Sequence, residues 1–311
     1  MSIRLERYCQ PKRTNLMHDI VIFANPIAGA GRAGKLAREL ADRLQREGCN
    51  TRLILEPVDG VDVSQLPHMD AAITIGGDGT LRAVAKKLTE SPLAEIPPLL
   101  VVPMGTANLM GRHFHIGKSD HHLLERLMRA IRRNEVVHLD AAQANGVPFL
   151  LVAGAGIDGE IVHALEKRRT GPIAILSYAI PTGLTLLNYR YPEMTVEVDG
   201  QIILRDRPGV VLVGNIPEYG TGFSMLPHAK PDDGLLDVLA IPVASRAEVL
   251  TMFMHAVAGE HLQTEGTRYL RGKHVSVTTS EPVAVQADGE AAGFTPLVVD
   301  LLPVRIPFIV P

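Results

Sequence analysis

The chain has few cysteines and few aromatic residues, and these shortages exclude several classes of protein. Its 311 residues include two cysteines, Cys9 and Cys49, and no tryptophan. Two isolated cysteines provide neither a disulfide framework nor a Cys-x-x-Cys zinc site, and they are compatible with a reducing cytoplasm. The formal net charge is −3, and no basic stripe interleaved with aromatic residues is present. Nucleic acid is therefore not an expected partner.

Long apolar runs are also missing, although 46% of the residues are hydrophobic. No run approaches the ~20 residues that a membrane span requires. The longest candidate, residues 173–187, is interrupted by polar residues, a proline and a glycine. The N-terminus has basic residues without the apolar segment of a signal peptide. We expect residues 1–17 to form a disordered extension, or Met17 to be nearer the true start.

The most informative stretch covers residues 73–80. An apolar, strand-like run ends there in three glycines that surround Asp78, and a helical pattern follows. Glycine allows positive φ and lets backbone N–H groups approach a ligand, and Thr80 is expected to cap a helix whose N-terminus favours anions. Because Asp78 would repel a bare phosphate, the stretch predicts a phosphate together with a divalent metal. The alternative is a tight strand-to-helix turn in which Asp78 is a second cap.

The first half of the chain alternates between strand-like and helix-like segments. The strand-like segments are 20–24, 52–55, 71–75 and 99–102. This alternation predicts an α/β domain with a Rossmann-like parallel sheet, in which ligands bind beyond the carboxyl ends of the strands. Three glycine- or threonine-bearing loops follow such ends, at 25–34, 76–80 and 103–108. We expect these loops to converge.

From about residue 142 the pattern changes to short β-type runs. They cover 149–153, 194–198, 201–204, 210–213, 236–241, 274–278, 283–287 and 297–301. Asp199-Gly200 and Asp288-Gly289 are typical hairpin turns, and a helix is expected at 245–258, where Met252, Phe253 and Met254 would fill core. These features predict a mostly antiparallel second domain. We divide the chain at Ala141 into domains 18–141 and 142–311, and residues from about 303 to 311 can return to the first domain.

Residues 29–34 fit two nucleotide-binding patterns incompletely. They satisfy G-x-G-x-x-G and most of the P-loop pattern, but Leu36 stands where the P-loop needs Ser or Thr to hold magnesium. The dinucleotide fingerprint has its first glycine directly at the end of the strand, but in this sequence residues 25–26 intervene. A hydride-transfer enzyme stays an alternative, but it would leave 76–80 unexplained. We interpret the loop as a glycine-rich phosphate loop of another kind.

Five short motifs occur in an order and spacing that identify a family. They are Asn25-Pro-x-x-Gly29, Gly76-Gly-Asp-Gly-Thr80, Gly105-Thr-x-Asn108, Pro231-Asp-Asp-Gly-x-Leu-Asp237 and Asp288-Gly-Glu290. From about residue 18 onward the chain resembles the diacylglycerol kinase catalytic-domain family, which includes bacterial lipid kinases and the sphingosine and ceramide kinases. The resemblance implies that ATP binds in the N-terminal α/β domain (similar to that of NAD kinase). It also implies that the lipid binds in the cleft against a C-terminal β-sandwich.

The resemblance also implies roles for individual residues. Glu290 would accept the proton of the lipid hydroxyl, and Asp78 and Asp288 are further catalytic candidates. The implied ligands of a structural magnesium ion are the Asp233 side chain and the backbone carbonyls of Lys230 and Leu235. The implied nucleotide contacts are Asn25, Pro26, Ile27, Ala28, Gly29, Gly76, Gly77, Asp78, Gly79, Thr80, Leu81, Arg82, Thr106 and Asn108. From the residues alone, a carboxylate on a glycine turn suits proton removal from an alcohol, but an ordinary exposed hairpin residue is the favoured interpretation of Glu290. Residues 231–237 alone indicate a solvated acidic turn.

Three positions depart from the family pattern. The chain has Arg82-Ala83 where the family usually has Asn-Glu, Leu109 where many members have Asp, and Leu55-Glu56 where a threonine is expected. The first change adds a cation near the phosphates. The second removes a carboxylate from the usual magnesium network. The lipid substrate and the level of turnover therefore stay open.

These observations favour a kinase that transfers the γ-phosphoryl group of ATP, with Mg²⁺, to a hydroxyl of a membrane lipid such as diacylglycerol or a sphingoid lipid. The alternatives are a weakly active or non-catalytic regulator that binds nucleotide or lipid, and NAD kinase, which shares the 76–80 element. We expect a cytoplasmic protein that binds a lipid at the membrane surface, and a homodimer is compatible with the sequence. Basic residues 167–169 beside 173–187 suit peripheral insertion at the inner face, and a core helix is the alternative.

Overall fold

A computed structural model of the chain describes residues 18–66, 68–91, 95–116, 122–166, 188–220 and 223–310. The predicted extension at 1–17, the basic residues 167–169 and the apolar segment 173–187 lie outside the described residues. Within the described part of the chain, every helix is too short or too polar to cross a membrane.

The N-terminal half is a parallel sheet covered by helices, as the alternating pattern predicts. Its elements are β1 (Asp19–Ala24), α1 (Arg32–Arg46), β2 (Asn50–Ile54), β3 (Ala71–Gly76), α2 (Asp78–Glu90), β4 (Leu99–Pro103), α3 (Leu109–His113), α4 (Leu123–Arg133) and β5 (Val136–Ala144). The parallel strands lie in the order β2-β1-β3-β4. Phe23, Ile73 and Leu99 are fully buried, and burying each such side chain contributes about 1.5–3 kcal/mol.

The C-terminal half is mostly antiparallel. Its elements are β6 (Val147–Phe149), β7 (Val152–Ala155), α5 (Ile157–Glu166), β8 (Glu193–Val198), β9 (Gln201–Gly214), β10 (Glu218–Tyr219), β11 (Phe223–Ser224), β12 (Leu236–Pro242), α6 (Arg246–Ala258), β13 (Arg268–Gly272), β14 (His274–Thr279), β15 (Ala284–Ala287), β16 (Glu290–Phe294) and β17 (Leu297–Ile309). The strands expected separately at 201–204 and 210–213 form one strand, β9. Its first half pairs with β8, and its second half pairs with β12 and β7.

Strand β17 joins the two halves. Its first residues pair with β14, whereas its later residues pair antiparallel with β5, and Phe308 pairs in parallel with Leu99 of β4. One core cluster accordingly contains Phe23 and Phe308 together with Leu150 and Leu212 from the second half. A second cluster fills the space between the antiparallel strands and includes Val196.

The expectation that α6 fills core with its apolar side chains is wrong for most of the helix. Val249 is its one buried residue among those described, and Phe253 and Met254 are exposed. Phe253 does make a ring contact with Phe223, at a centroid distance of 5.3 Å. The helix begins at a capping box in which Ser245 accepts a hydrogen bond from the Glu248 backbone N–H (3.3 Å).

Candidate nucleotide and acceptor site

Three loops converge at the carboxyl ends of β1, β3 and β4, as the sequence predicts. Strand β3 lies between β1 and β4 and pairs with both. At the ends of these strands, backbone hydrogen bonds connect neighbouring segments. The backbone N–H of Asn25 donates to the carbonyl of Ile75 (3.0 Å), and that of Met104 donates to the carbonyl of Gly76 (2.7 Å). The result is a single surface built from backbone, which is the arrangement that binds phosphates in open α/β sheets.

The glycines of the 76–80 loop are needed for close packing and do not adopt left-handed backbone conformations. Gly77 has φ −93°, and no glycine at 76, 77 or 79 has positive φ. A Cβ at Gly105 would lie 2.5 Å from the Cα of Gly77, and one at Gly76 would overlap the side chain of Thr80. The 76–80 and 103–108 loops therefore contact each other through backbone atoms.

Asp78 caps a different helix from the one that it begins. Its carboxylate accepts hydrogen bonds from the backbone N–H groups of Leu109 (3.0 Å) and Met110 (3.3 Å), at the N-terminus of α3. Burial raises the pKa of Asp78, and these backbone donors oppose the rise. The predicted cap role of Thr80 is wrong, because α2 starts at Asp78 with Gly77 as its N-cap. Thr80 thus lies inside the first turn.

The remaining nucleotide-contact candidates lie in or beside these loops, but not all of them face solvent. Asn108 is buried, with φ 51°, and Thr106 is exposed at the tip of its loop. Ile27 is exposed, and its backbone N–H donates to Asn25 Oδ1 (3.2 Å). The other candidates of this first loop are Pro26, Ala28 and Gly29, and Gly29 is left-handed with φ 60°. Of the α2 candidates, Leu81 is buried in the core, so its side chain faces away from the loops.

A hairpin from the C-terminal half reaches this surface. Asp288 (φ 51°) and Gly289 (φ 78°) form its turn between β15 and β16. The Asp288 carboxylate accepts three backbone hydrogen bonds, from Leu150 (2.9 Å), Leu151 (2.9 Å) and Val152 (3.1 Å). Burial raises the pKa of Asp288 to about 6. Asp288 therefore anchors the turn by structural hydrogen bonds.

Glu290, the first residue of β16, lies against the N-terminal turn of α2. A Cβ at Gly79 would lie 2.7 Å from Glu290 Oε1. The same carboxylate forms an ion pair with Arg82, whose side chain is 17% exposed against 31% for Glu290. The fold thus brings Gly79, Arg82 and Glu290 together from opposite ends of the sequence. A second ion pair, Arg112–Glu218 (2.9 Å), links α3 to β10.

In the acidic turn that the resemblance implies as a magnesium site, the carboxylate oxygens of Asp233 interact with donors of the protein itself. Asp233 Oδ1 accepts a hydrogen bond from the Leu235 backbone N–H (3.2 Å), and Oδ2 pairs with Arg271 (3.2 Å). The exposed Lys230 offers only its backbone carbonyl. The described residues contain no cluster of three His, Cys, Asp or Glu side chains suited to a metal ion. In this structure the Asp233 carboxylate is occupied by protein donors, and the magnesium site at Lys230, Asp233 and Leu235 stays a prediction.

Sequence reasoning missed a partly buried carboxylate beneath the hairpin, that of Asp158. Asp158 Oδ2 accepts weak hydrogen bonds from Tyr219 and Gln286 (both 3.4 Å), whereas Oδ1 is shielded without a partner. Gln286 also accepts a hydrogen bond from the Gly289 backbone N–H (3.0 Å). Burial raises the pKa of Asp158 to about 6. The only local signal was a carboxylate between apolar runs, in Gly156-Ile-Asp-Gly159.

Comparisons with known proteins agree with this architecture. The diacylglycerol kinase catalytic domain matches residues 19–144, and the YegS C-terminal NAD kinase beta sandwich-like domain matches residues 151–310. The diacylglycerol kinase of Bacillus subtilis (strain 168) is 25% identical over 280 residues, covering 88% of this chain and 90% of that protein. That of Staphylococcus carnosus (strain TM300) is 25% identical over 286 residues, covering 88% and 89%.

A solved structure shares the fold. The crystal structure of a diacylglycerol kinase from Bacillus anthracis str. Sterne superposes with a TM-score of 0.70 at 23% identity, covering 96% of this chain and 98% of that one. The two domain matches together cover nearly all of the described residues. The chain is a kinase that belongs to the diacylglycerol kinase family.

Proposed function

We propose that this kinase transfers the γ-phosphoryl group of ATP to a hydroxyl group of a membrane lipid, such as diacylglycerol or a sphingoid lipid. Support comes from the family, whose members in Bacillus subtilis and Staphylococcus carnosus are named diacylglycerol kinases. In this proposal the nucleotide binds to domain 18–141 and the lipid lies against domain 142–311. The lipid is met at a membrane surface, to which the protein binds peripherally from the cytoplasm.

The observation that carries the proposal is the position of Glu290 against the first turn of α2. Phosphoryl transfer depends mainly on positioning the donor and acceptor and on neutralising charge. The 25–29, 76–82 and 105–108 loops lie beyond the carboxyl ends of the parallel strands, where phosphates bind in open α/β sheets. Glu290 is the carboxylate that reaches the first turn of α2 from the C-terminal half. A carboxylate there can accept the proton of an alcohol as its oxygen attacks phosphorus.

Magnesium enters this proposal as part of the nucleotide substrate. Kinases use ATP as its magnesium complex, and the ion bridges phosphate oxygens. Asp78 directs its carboxylate to Leu109 and Met110, and Asp233 pairs with Arg271. In this proposal the chain's own residues bind the nucleotide and accept the proton.

The test is phosphorylation of a total lipid extract with γ-labelled ATP, followed by identification of the labelled product. Parallel reactions contain dioleoylglycerol, sphingosine or NAD in place of the extract. We expect one phosphorylated lipid and no labelled NADP. A labelled NADP product, or nucleotide binding without transfer to any lipid, would contradict the proposal.

A further inference from the structure

We propose that Arg82 is a positioning residue of the phosphoryl-transfer site, a resident cation that holds the Glu290 carboxylate in place at the N-terminus of α2. This inference rests on the proposed function, because it assigns Arg82 a part in the same reaction. Arg82 stands where the family resemblance leads one to expect asparagine. Its ion pair with Glu290 is the direct contact from which the inference starts.

The Arg82 side chain is held between the two halves of the chain. Its residue lies one turn after Asp78 on α2, and it lines a small gap together with Ala85, Phe149 and Leu150. Its guanidinium Nε is shielded from solvent without a hydrogen-bond partner. A guanidinium in such a position is costly unless a carboxylate neutralises it. The ion pair with Glu290 supplies that carboxylate, so each charge fixes the position of the other.

The positive charge of Arg82 acts on Asp288 in the hairpin turn as well as on Glu290. Burial raises the pKa of Asp288, and the positive charge of Arg82 opposes the rise. Arg82 thus stabilises the ionised form of Asp288 and contacts the carboxylate of Glu290. An opposite charge nearby favours the ionised state of a carboxyl group, and only an ionised carboxylate can accept a proton.

Arg82 brings a permanent positive charge to the first turns of α2. The neighbouring carboxylate of Asp78 accepts hydrogen bonds from backbone N–H groups of α3, so it does not pair with Arg82 in this structure.

The acceptor hydroxyl loses its proton to Glu290 as its oxygen bonds to the γ-phosphorus. The bond from γ-phosphorus to the β–γ bridging oxygen breaks, and its electron pair leaves with ADP. Arg82 keeps the Glu290 carboxylate aimed at the hydroxyl before the proton moves. Loss of that orientation lowers the rate more than it lowers ATP affinity.

The experiment compares Arg82→Gln, Arg82→Lys and the matched control Lys86→Gln, which removes a half-exposed cation one turn later on the same helix. Turnover and KM are measured on diacylglycerol in mixed micelles between pH 5.5 and 9.

We expect Arg82→Gln to lower kcat by about 100-fold, with KM for ATP changed by less than about threefold, since this loss is confined to the transition state. Its acid limb should move to higher pH. We expect kcat of Arg82→Lys to be about tenfold higher than that of Arg82→Gln, because lysine returns the positive charge without the planar guanidinium. The control Lys86→Gln should have the kcat of the wild type.

A second measurement needs no turnover. Melting temperatures of Arg82→Gln, Glu290→Gln and the double variant form a cycle, and we expect the second substitution to cost less once the first is made. Additive shifts, or Arg82→Gln turnover and pH profile equal to the wild type, would overturn the inference. If the wild-type protein phosphorylates no lipid, the proposed function fails instead. The melting cycle then still decides whether Arg82 holds Glu290.

Discussion

The side chain of Asn108 and the backbone of Gly105 hydrogen-bond to each other in both directions. The Gly105 N–H donates to Asn108 Oδ1 (2.6 Å), and Asn108 Nδ2 donates to the carbonyl of Gly105 (2.7 Å). Asparagine suits this position for a second reason, because it tolerates the left-handed backbone conformation found there. The pair closes the loop that contacts Gly77, and so sets the shape of the phosphate-facing surface.

Asn108→Asp should destabilise the protein by about 1–3 kcal/mol, because a carboxylate oxygen would face the Gly105 carbonyl in a buried position. ATP affinity should fall as well. Chemical denaturation and calorimetry measure the two effects. Asn134→Asp is the matched control, since Asn134 is also left-handed, with φ 46°, but is exposed. Equal losses in both variants would show that backbone conformation, and not the reciprocal pair, is what matters.

Glu290→Gln should abolish lipid phosphorylation while ATP affinity stays within about threefold, since the amide cannot accept the proton but has nearly the same shape. Turnover assays and calorimetry check the two parts separately. Glu281→Gln, at an exposed position before the same hairpin, is the control and should keep full turnover. Near-normal activity of Glu290→Gln would remove Glu290 from the proton-acceptor role.

Asp158→Asn should stabilise the protein at pH 7 and have little effect at pH 4. The folded-state pKa of Asp158 is about 6, raised by burial from the ordinary 3.8. The protonated carboxyl is therefore favoured in the folded state. Its ionisation lowers stability as the pH rises from about 4 to 6, by on the order of 3 kcal/mol in total. Denaturation at a series of pH values gives the difference between variant and wild type. Asp59→Asn, at an exposed position, is the control, and a difference that does not vary with pH would contradict the prediction.

Magnesium should stabilise Arg271→Gln more than it stabilises the wild-type protein. Removing the guanidinium frees Asp233 Oδ2, so that the oxygens of the acidic turn become available to a hard cation, which stabilises the fold that it binds. Melting temperatures in magnesium and in chelator measure this effect without any activity assay. A double variant, Arg271→Gln with Asp233→Asn, should lose the gain. Equal magnesium shifts in the wild type and Arg271→Gln would show that the turn is only solvated.

The α/β half, its converging loops and the hairpin turn at Asp288 could be predicted because each depends on local signals. Apolar runs ending in glycine mark β1 and β3, and Asp-Gly marks a tight turn. The partners of side chains could not be predicted this way. Nothing near Asp78 in sequence indicates that its carboxylate caps α3, 31 residues later, and the Arg82–Glu290 pair joins residues from opposite ends of the sequence.

Local sequence patterns also did not predict which residues are buried or closely packed. Met254 has helical spacing and an apolar side chain, yet it is exposed. The glycines at 76 and 77 were expected to allow positive φ and the approach of a ligand, whereas Gly77 is needed because the backbone of Gly105 approaches it. For Gly77 the reason lies in a neighbouring loop that is distant in sequence.

Strand β17 has a consequence for how the protein is made. A ribosome produces β1 to β4 early, but Phe308, which pairs beside β4, emerges after every other strand. Until then the edge of β4 exposes unpaired backbone groups, and such edges recruit other strands. The nascent N-terminal half is thus incomplete for most of translation. Its closure depends on β17, which leaves the ribosome much later than β4, and a chain that stalls before β17 would carry an open sheet edge.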